Sequence, residues 1–201
     1  MEIKAVLFDL DGVLIDTLDC WFQAINDTFR KYGRREISRD EFLREVWGYT
    51  YDRALGYLGE EALAYCRARL TENLWRAKLI PGAREVLEFC KNRVRLGLVT
   101  NTPRENTLKE LEMFGLEYFD VVITADDAVN RKPSPDMVLR ACEMLGVPPE
   151  KALMVGDTES DVRAGRSAGC RVIGINVDAD WKIRDMYELR RLLEKILKKA
   201  S

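Results

Sequence analysis

From Pro81 onward the chain alternates short apolar runs with amphipathic stretches, a rhythm that restricts it to a parallel sheet with helices on both faces. Residues 94–100, 120–124, 152–156 and 171–175 read as strands. Between them lie helices over 83–91, from Thr102-Pro103-Arg104-Glu105 to Gly115, from Ser134-Pro135 to Gly146, and over 159–168. Thr102 as N-cap, Pro103 at N1 and Glu105 as capping-box partner make a strong helix start. A last amphipathic helix carries Leu189, Leu192, Leu193, Ile196 and Leu197. At the other end, Ile3-Lys4-Ala5-Val6-Leu7-Phe8 reads as a first, buried strand. The expected fold class is α/β: a doubly wound, Rossmann-like parallel sheet of five strands.

Residues 17–80 break this rhythm. Leu18, Trp21, Phe22, Ile25 and Phe29 recur at helical spacing over 17–32. Ser38-Arg39-Asp40-Glu41 is a capping-box pattern that opens a second helix through Trp47. Gly48-Tyr49-Thr50 interrupts it, residues 51–58 resume it, and a fourth helix spans about 60–78. No strand is evident. The expected division is an α/β core of residues 1–16 and 81–201 carrying a small α-helical cap domain, 17–80. Trp21, Trp47 and Trp75 are expected to pack inside that cap.

Composition narrows the chemistry. Of the 201 residues 47% are hydrophobic and 33% charged, enough for an ordinary core. A net charge of -2 with interspersed signs argues against nucleic acid as a partner. No apolar run reaches membrane-spanning length, and the first residues show no signal-peptide pattern. Cysteines 20, 66, 90, 142 and 170 are scattered without C-x-x-C, as for reduced thiols, so a cytoplasmic location is expected. A monomer or homodimer is expected. The chain has no histidine. That excludes Ser-His-Asp and Cys-His catalysis and zinc sites with imidazole ligands. Acid–base work must fall to carboxylates, Lys, Tyr or Cys.

In an open parallel sheet, ligands bind beyond the carboxyl ends of the strands. Asp9 and Asp11 follow the first strand, with Gly12 allowing a tight turn beside them. Thr100 and Asn101 follow the second strand. Lys132 stands in the loop after the third, and Asp157 and Asp161 follow the fourth. Each has an ordinary structural role open to it: Thr100 or Asp157 as a helix cap, Lys132 as a solvated charge. Their joint placement at one sheet edge points instead to a site.

D-L-D-G-V-L-I-D-T at 9–17, T-N at 100–101, K-P at 132–133 and G-D-T-E-S-D at 156–161 resemble the four motifs of haloacid dehalogenase-superfamily phosphohydrolases, in order. The resemblance is to the subgroup with a helical cap inserted after the first strand. It implies an aspartyl-phosphate on Asp9, with Asp11 as acid and base. It implies Mg²⁺ held by Asp9, the Asp11 carbonyl and Asp157, and Asp161 holding a metal-bound water or orienting Lys132. Thr100 would bond a phosphate oxygen, assisted by backbone N–H groups near Leu10, Asp11 and Asn101. Lys132 would pair with phosphate and Asp9. Tyr49 and Arg53, at the interruption in the helices, are candidate contacts for the rest of the substrate, although surface or cap packing is the slightly favoured reading of each. The partner implied is a small phosphorylated metabolite such as phosphoglycolate, a sugar phosphate or a nucleotide. A phosphomutase or pyrophosphatase of the same fold is the alternative, and a receiver-like signalling domain a more distant one. No P-loop or dinucleotide fingerprint occurs.

Overall fold

The computed structural model describes residues 2–198. Its centre is strand β1 (Ala5–Phe8), flanked by β4 (Arg95–Val99) and β6 (Ala152–Gly156). With β5 (Val121–Ile123), β7 (Arg171–Ile175) and β8 (Trp181–Ile183) these form one six-stranded sheet, ordered β5-β4-β1-β6-β7-β8 and parallel throughout. All four residues of β1 are buried, as a central strand covered on both faces requires. Its side chains divide by the period-two rule. Val6 and Phe8 join one core with Val86, Leu87, Leu189 and Leu193, from α5 (Ala83–Lys91) and α9 (Met186–Lys198). Ala5 and Leu7 join a second with Met137, Val138 and Val162, from α7 (Asp136–Leu145) and α8 (Glu159–Ala168).

The sheet has one strand more than the sequence pattern suggests. The sixth, β8, is only three residues long and follows a stretch rich in aspartate. Its pairing with β7, Gly174 beside Lys182, forms it where local propensity is weak. At the opposite edge α6 (Arg104–Phe114) begins differently from expectation. Thr102 does not cap it; the Arg104 N–H donates instead to Asp126 Oδ2 at 2.8 Å.

Helices α1 (Leu18–Lys31), α2 (Arg39–Glu45), α3 (Tyr51–Leu55) and α4 (Glu60–Asn73) share their own apolar cluster, with Ile25, Phe42, Leu55, Cys66 and Leu70 at its centre. Ser38 and Glu41 form the reciprocal capping box that their spacing predicts. Asp27 of α1 accepts two bonds from Arg69 of α4, at 2.9 and 2.7 Å, and so ties the two helices together. Three expectations for this stretch fail: the length of the fourth helix, the absence of strands and the packing of Trp75. The fourth helix stops at Asn73, and Lys78–Leu79 is a two-residue strand, β3, antiparallel to β2 (Ile15–Asp16). Trp75 is 70% exposed and packs in no core. The five cysteines are all free and buried. No helix among the described residues is long and apolar enough to cross a membrane.

Candidate active site

Parallel register aligns the strand ends. Phe8 lies level with Leu98 on one side and Val155 on the other, so the chain leaves the sheet at Asp9, Thr100 and Asp157 along one edge. Asp9 is 7% exposed, its backbone N–H donating to Val155 O at 2.9 Å. Such burial of a carboxylate demands a counter-charge. Lys132, 3% exposed, supplies one: its Nζ lies 2.8 Å from Asp9 Oδ1 and 2.6 Å from Asp161 Oδ1, and donates to Val99 O at 2.8 Å. The lysine is held from behind by Asn101, whose Oδ1 accepts from Lys132 N and whose Nδ2 donates to Lys132 O, both at 3.0 Å. Burial acts to lower the lysine's pKa, but Asp161 and then Asp9 outweigh it and keep the ammonium above its usual range.

Asp161 has a second task. Its Oδ2 accepts from the Thr158 N–H (3.1 Å) and hydroxyl (2.6 Å), closing the capping box that starts α8, with Thr158 rather than Asp157 as N-cap. Asp11 turns away from the other acids. Its Oδ1 accepts from Thr17 Oγ1 and from Trp21 Nε1 (3.2 Å), and its Oδ2 from Thr102 Oγ1 and, at 3.5 Å, Thr100 Oγ1. Four donors therefore fix the orientation of this carboxylate.

Ligand atoms of Asp9, Asp157 and Asp161 lie within 4.8 Å of one another. One lysine leaves this cluster with surplus negative charge. Burial first, then Asp161, with Asp11 adding and Lys132 opposing, pushes the Asp9 carboxyl up to about 7. Burial, then Asp161 and Asp9, hold Asp157 well above the carboxylate range. Asp157 Oδ1 is buried with no hydrogen-bond partner among the described residues. An all-oxygen donor set with an orphaned carboxylate oxygen fits a hard divalent cation of the Mg²⁺ type. Gly12 makes the room: at φ 77°, a Cβ there would lie 2.2 Å from Asp157 Oδ2. Gly12→Ala is expected to displace that carboxylate and to lower activity about 10-fold or more, the size of a disturbed metal-ligand environment. Steady-state rates of the two proteins across a divalent-cation titration check this.

A cavity of about 50 Å³ joins Asp9, Asp11, Thr100, Asn101, Lys132 and Asp161 to the helical segment opposite, which contributes Trp21 from α1 and Trp47 and Tyr49 from the turn between α2 and α3, among others. Arg53 does not line it; its guanidinium stacks on the Tyr49 ring at 4.0 Å. Gly48 brings the helical segment against the sheet edge, where a Cβ would meet Thr158 Cγ2 at 2.8 Å. Trp21 and Trp47 do more than pack: both indole N–H groups point at acids, that of Trp47 to Asp157 Oδ2 at 3.4 Å. Sequence reasoning gave Thr17, Trp21, Thr102 and Trp47 no place in the site. For Thr17 and Trp21 a signal existed, since they stand four residues apart at a helix start, on the face nearest the motif acids.

A fold of this order, with acids and a buried lysine at its carboxyl edge, defines an α/β enzyme built for phosphoryl chemistry. The family model of haloacid dehalogenase-like hydrolases matches residues 6–175. A phosphorylated carbohydrates phosphatase from Thermotoga maritima is 36% identical over 186 residues, 86% of this chain and 85% of the relative. Pyrophosphatase PpaX of Halalkalibacterium halodurans is 33% identical over 210 residues, 94% and 96% of the two chains. The crystal structure of a subfamily IA hydrolase of the same superfamily from Geobacter sulfurreducens superposes with a TM-score of 0.80 at 31% identity, covering 95% of this chain and all of that one. The chain belongs to the haloacid dehalogenase-like hydrolases and is a phosphatase.

Proposed function

We propose that this chain is a Mg²⁺-dependent phosphatase that hydrolyses a small phosphorylated metabolite through an aspartyl-phosphate on Asp9. The observation that carries the reading is the pairing of two acids on one turn in different surroundings. Asp9 is buried against Lys132, and Asp11 is turned toward hydroxyl and indole donors. Two carboxylates in unlike environments can divide nucleophile from acid–base work.

Asp9 Oδ bonds to phosphorus as the ester P–O bond breaks, and Asp11 gives its proton to the leaving oxygen. Asp11 then takes a proton from a water whose oxygen attacks phosphorus. The Asp9–phosphorus bond breaks, and inorganic phosphate and free Asp9 are restored. Lys132 balances charge on Asp9 and on the phosphoryl oxygens; Thr100 Oγ1 and the N–H groups of Leu10, Asp11 and Asn101 are candidates to bind those oxygens. Asp9, Asp157 and the Asp11 carbonyl are the groups that would hold Mg²⁺, which offsets the repulsion between an anionic nucleophile and an anionic phosphate. Asp161 would orient Lys132 against Asp9, or hold a water bound to that metal.

In this reading residues 17–80 act as a cap that excludes water, hinged where β2 pairs with β3. Tyr49 faces the leaving group, and Arg53 acts by supporting Tyr49. The test is hydrolysis of p-nitrophenyl phosphate with Mg²⁺ and with EDTA, alongside Asp9→Asn. Release is expected to need the metal and to vanish in the variant, which keeps its fold by circular dichroism. Near-wild-type turnover of Asp9→Asn would remove the nucleophile assignment.

A further inference from the structure

The wall of the cavity that faces the acids has a composition of its own. Trp21, Phe42, Val46, Trp47, Tyr49 and Tyr51 supply it, and none of these side chains carries a charge. Their polar atoms are largely committed. The indole N–H groups of Trp21 and Trp47 donate to Asp11 and Asp157, and the Tyr51 hydroxyl accepts from Arg67 at 2.8 Å. What remains toward the cavity is aromatic face and edge, aliphatic Val46 and the hydroxyl of Tyr49, a neutral group.

The cations close to this wall are held elsewhere. Arg53 lies on the Tyr49 ring and Arg67 on the Tyr51 hydroxyl. Arg131 pairs with Asp52 at 3.1 Å and donates to Ala125 O at 3.1 Å. None of the three lines the cavity. Lys132 does, and it is already shared between Asp9 and Asp161. The cavity is small, about 50 Å³, so a leaving group that enters it lies against the wall.

We propose that this phosphatase selects monoesters whose alcohol is uncharged and presents a C–H or aromatic face, and rejects esters that carry a second anionic group. The proposal rests on the phosphatase reading above and names its substrate class. An anion placed against this wall would lose water and gain no cationic partner, and one neutral hydroxyl does not offset a buried charge. It would also meet the negative faces of the rings, which suit C–H groups and ring edges instead. Phosphoglycolate, with its carboxylate, and pyrophosphate, the substrate in the name of the H. halodurans relative, are the compounds this wall disfavours.

The experiment compares matched pairs that differ by one charge: 2-hydroxyethyl phosphate against phosphoglycolate, phenyl phosphate against 4-carboxyphenyl phosphate, and a hexose monophosphate against its bisphosphate, with pyrophosphate added. Within each pair the neutral member is expected to have the higher kcat/KM by about 10²-fold or more, the effect of one unpaired buried charge. Ratios within tenfold of unity, with turnover intact, would overturn the selectivity and leave the phosphatase reading standing. No turnover of any compound would count against the phosphatase reading. In that event binding of the same pairs to Asp9→Asn, by calorimetry, still decides the selectivity: tighter neutral members support it, equal or weaker ones overturn it. Tyr49→Arg, which sets a cation on the wall, is expected to narrow each ratio by about tenfold or more. An unchanged ratio in the folded variant would place the selection outside this wall and overturn the proposal.

Discussion

Lys132→Met is expected to lower kcat by about 10²–10³-fold, the cost of removing one preorganised cationic donor from a closed site. The same substitution is expected to destabilise the fold by about 3–5 kcal/mol, because it leaves buried partners uncompensated. Asp9 and Asp161 each lie within 2.8 Å of the ammonium, so its loss strands two carboxylates beside Asp157. Methionine restores much of the aliphatic length but none of the charge. Thermal melts and steady-state rates, with and without Mg²⁺, check both parts. A variant with full stability and normal kcat would show that Lys132 neutralises nothing that matters.

Glu110→Leu is expected to act in the opposite direction, raising stability by about 1–4 kcal/mol at neutral pH, as for other buried ionisable groups replaced by apolar side chains. Glu110 is fully buried in α6, and neither carboxylate oxygen has a hydrogen-bond partner among the described residues. One turn earlier, Asn106 donates to Arg67 O at 3.3 Å and Thr71 Oγ1 at 2.9 Å, so this face of α6 is sealed against α4. Burial first, then the charges of Asp11 and Asp9, hold the Glu110 carboxyl well above its usual value. The folded chain therefore keeps a proton that the unfolded chain loses near pH ~4.3. Stability contributed by this group is present below that pH and falls as pH rises toward the folded value. The gain from Glu110→Leu should then be larger at pH 8 than at pH 5. A shift in Tm of about 2–4 °C per kcal/mol makes it measurable in a chain of this size. An equal gain at both pH values would mean that Glu110 does not titrate out of step with folding.

Much of the fold is written in local pattern. β1 and β6 are continuous apolar runs, α2 opens on a capping box, and Gly115, Gly146 and Gly169 end their helices in the left-handed conformation. The elements that escape are those whose stability is borrowed. Strand β8 exists because β7 offers it an edge, and β3 because β2 does. Thr102 shows the same principle at a helix start. Its spacing to Glu105 reads as a capping box, yet Asp126 from a distant turn satisfies the Arg104 N–H, and Thr102 turns to Asp11. The acids and lysine of the site stand out in sequence because each follows a strand. The indoles do not, because Trp21 and Trp47 sit at core spacing and only the docking of helices on the sheet aims their N–H groups at acids.

The β2–β3 ribbon carries one more consequence. Asp16 pairs with Lys78, and Ile80 N donates to Leu14 O at 2.9 Å, so the chain departs from the sheet and returns to it at adjacent points. Whatever length of chain lies between those points imposes no strain on β1 or α5, since its ends already meet. Recombination or insertion within that interval can exchange one set of helices for another without moving Asp9 or Lys132, provided that donors such as Thr17 and Trp21 are kept for Asp11. The sheet edge and its acids thus form a unit that tolerates change in the helices docked on it.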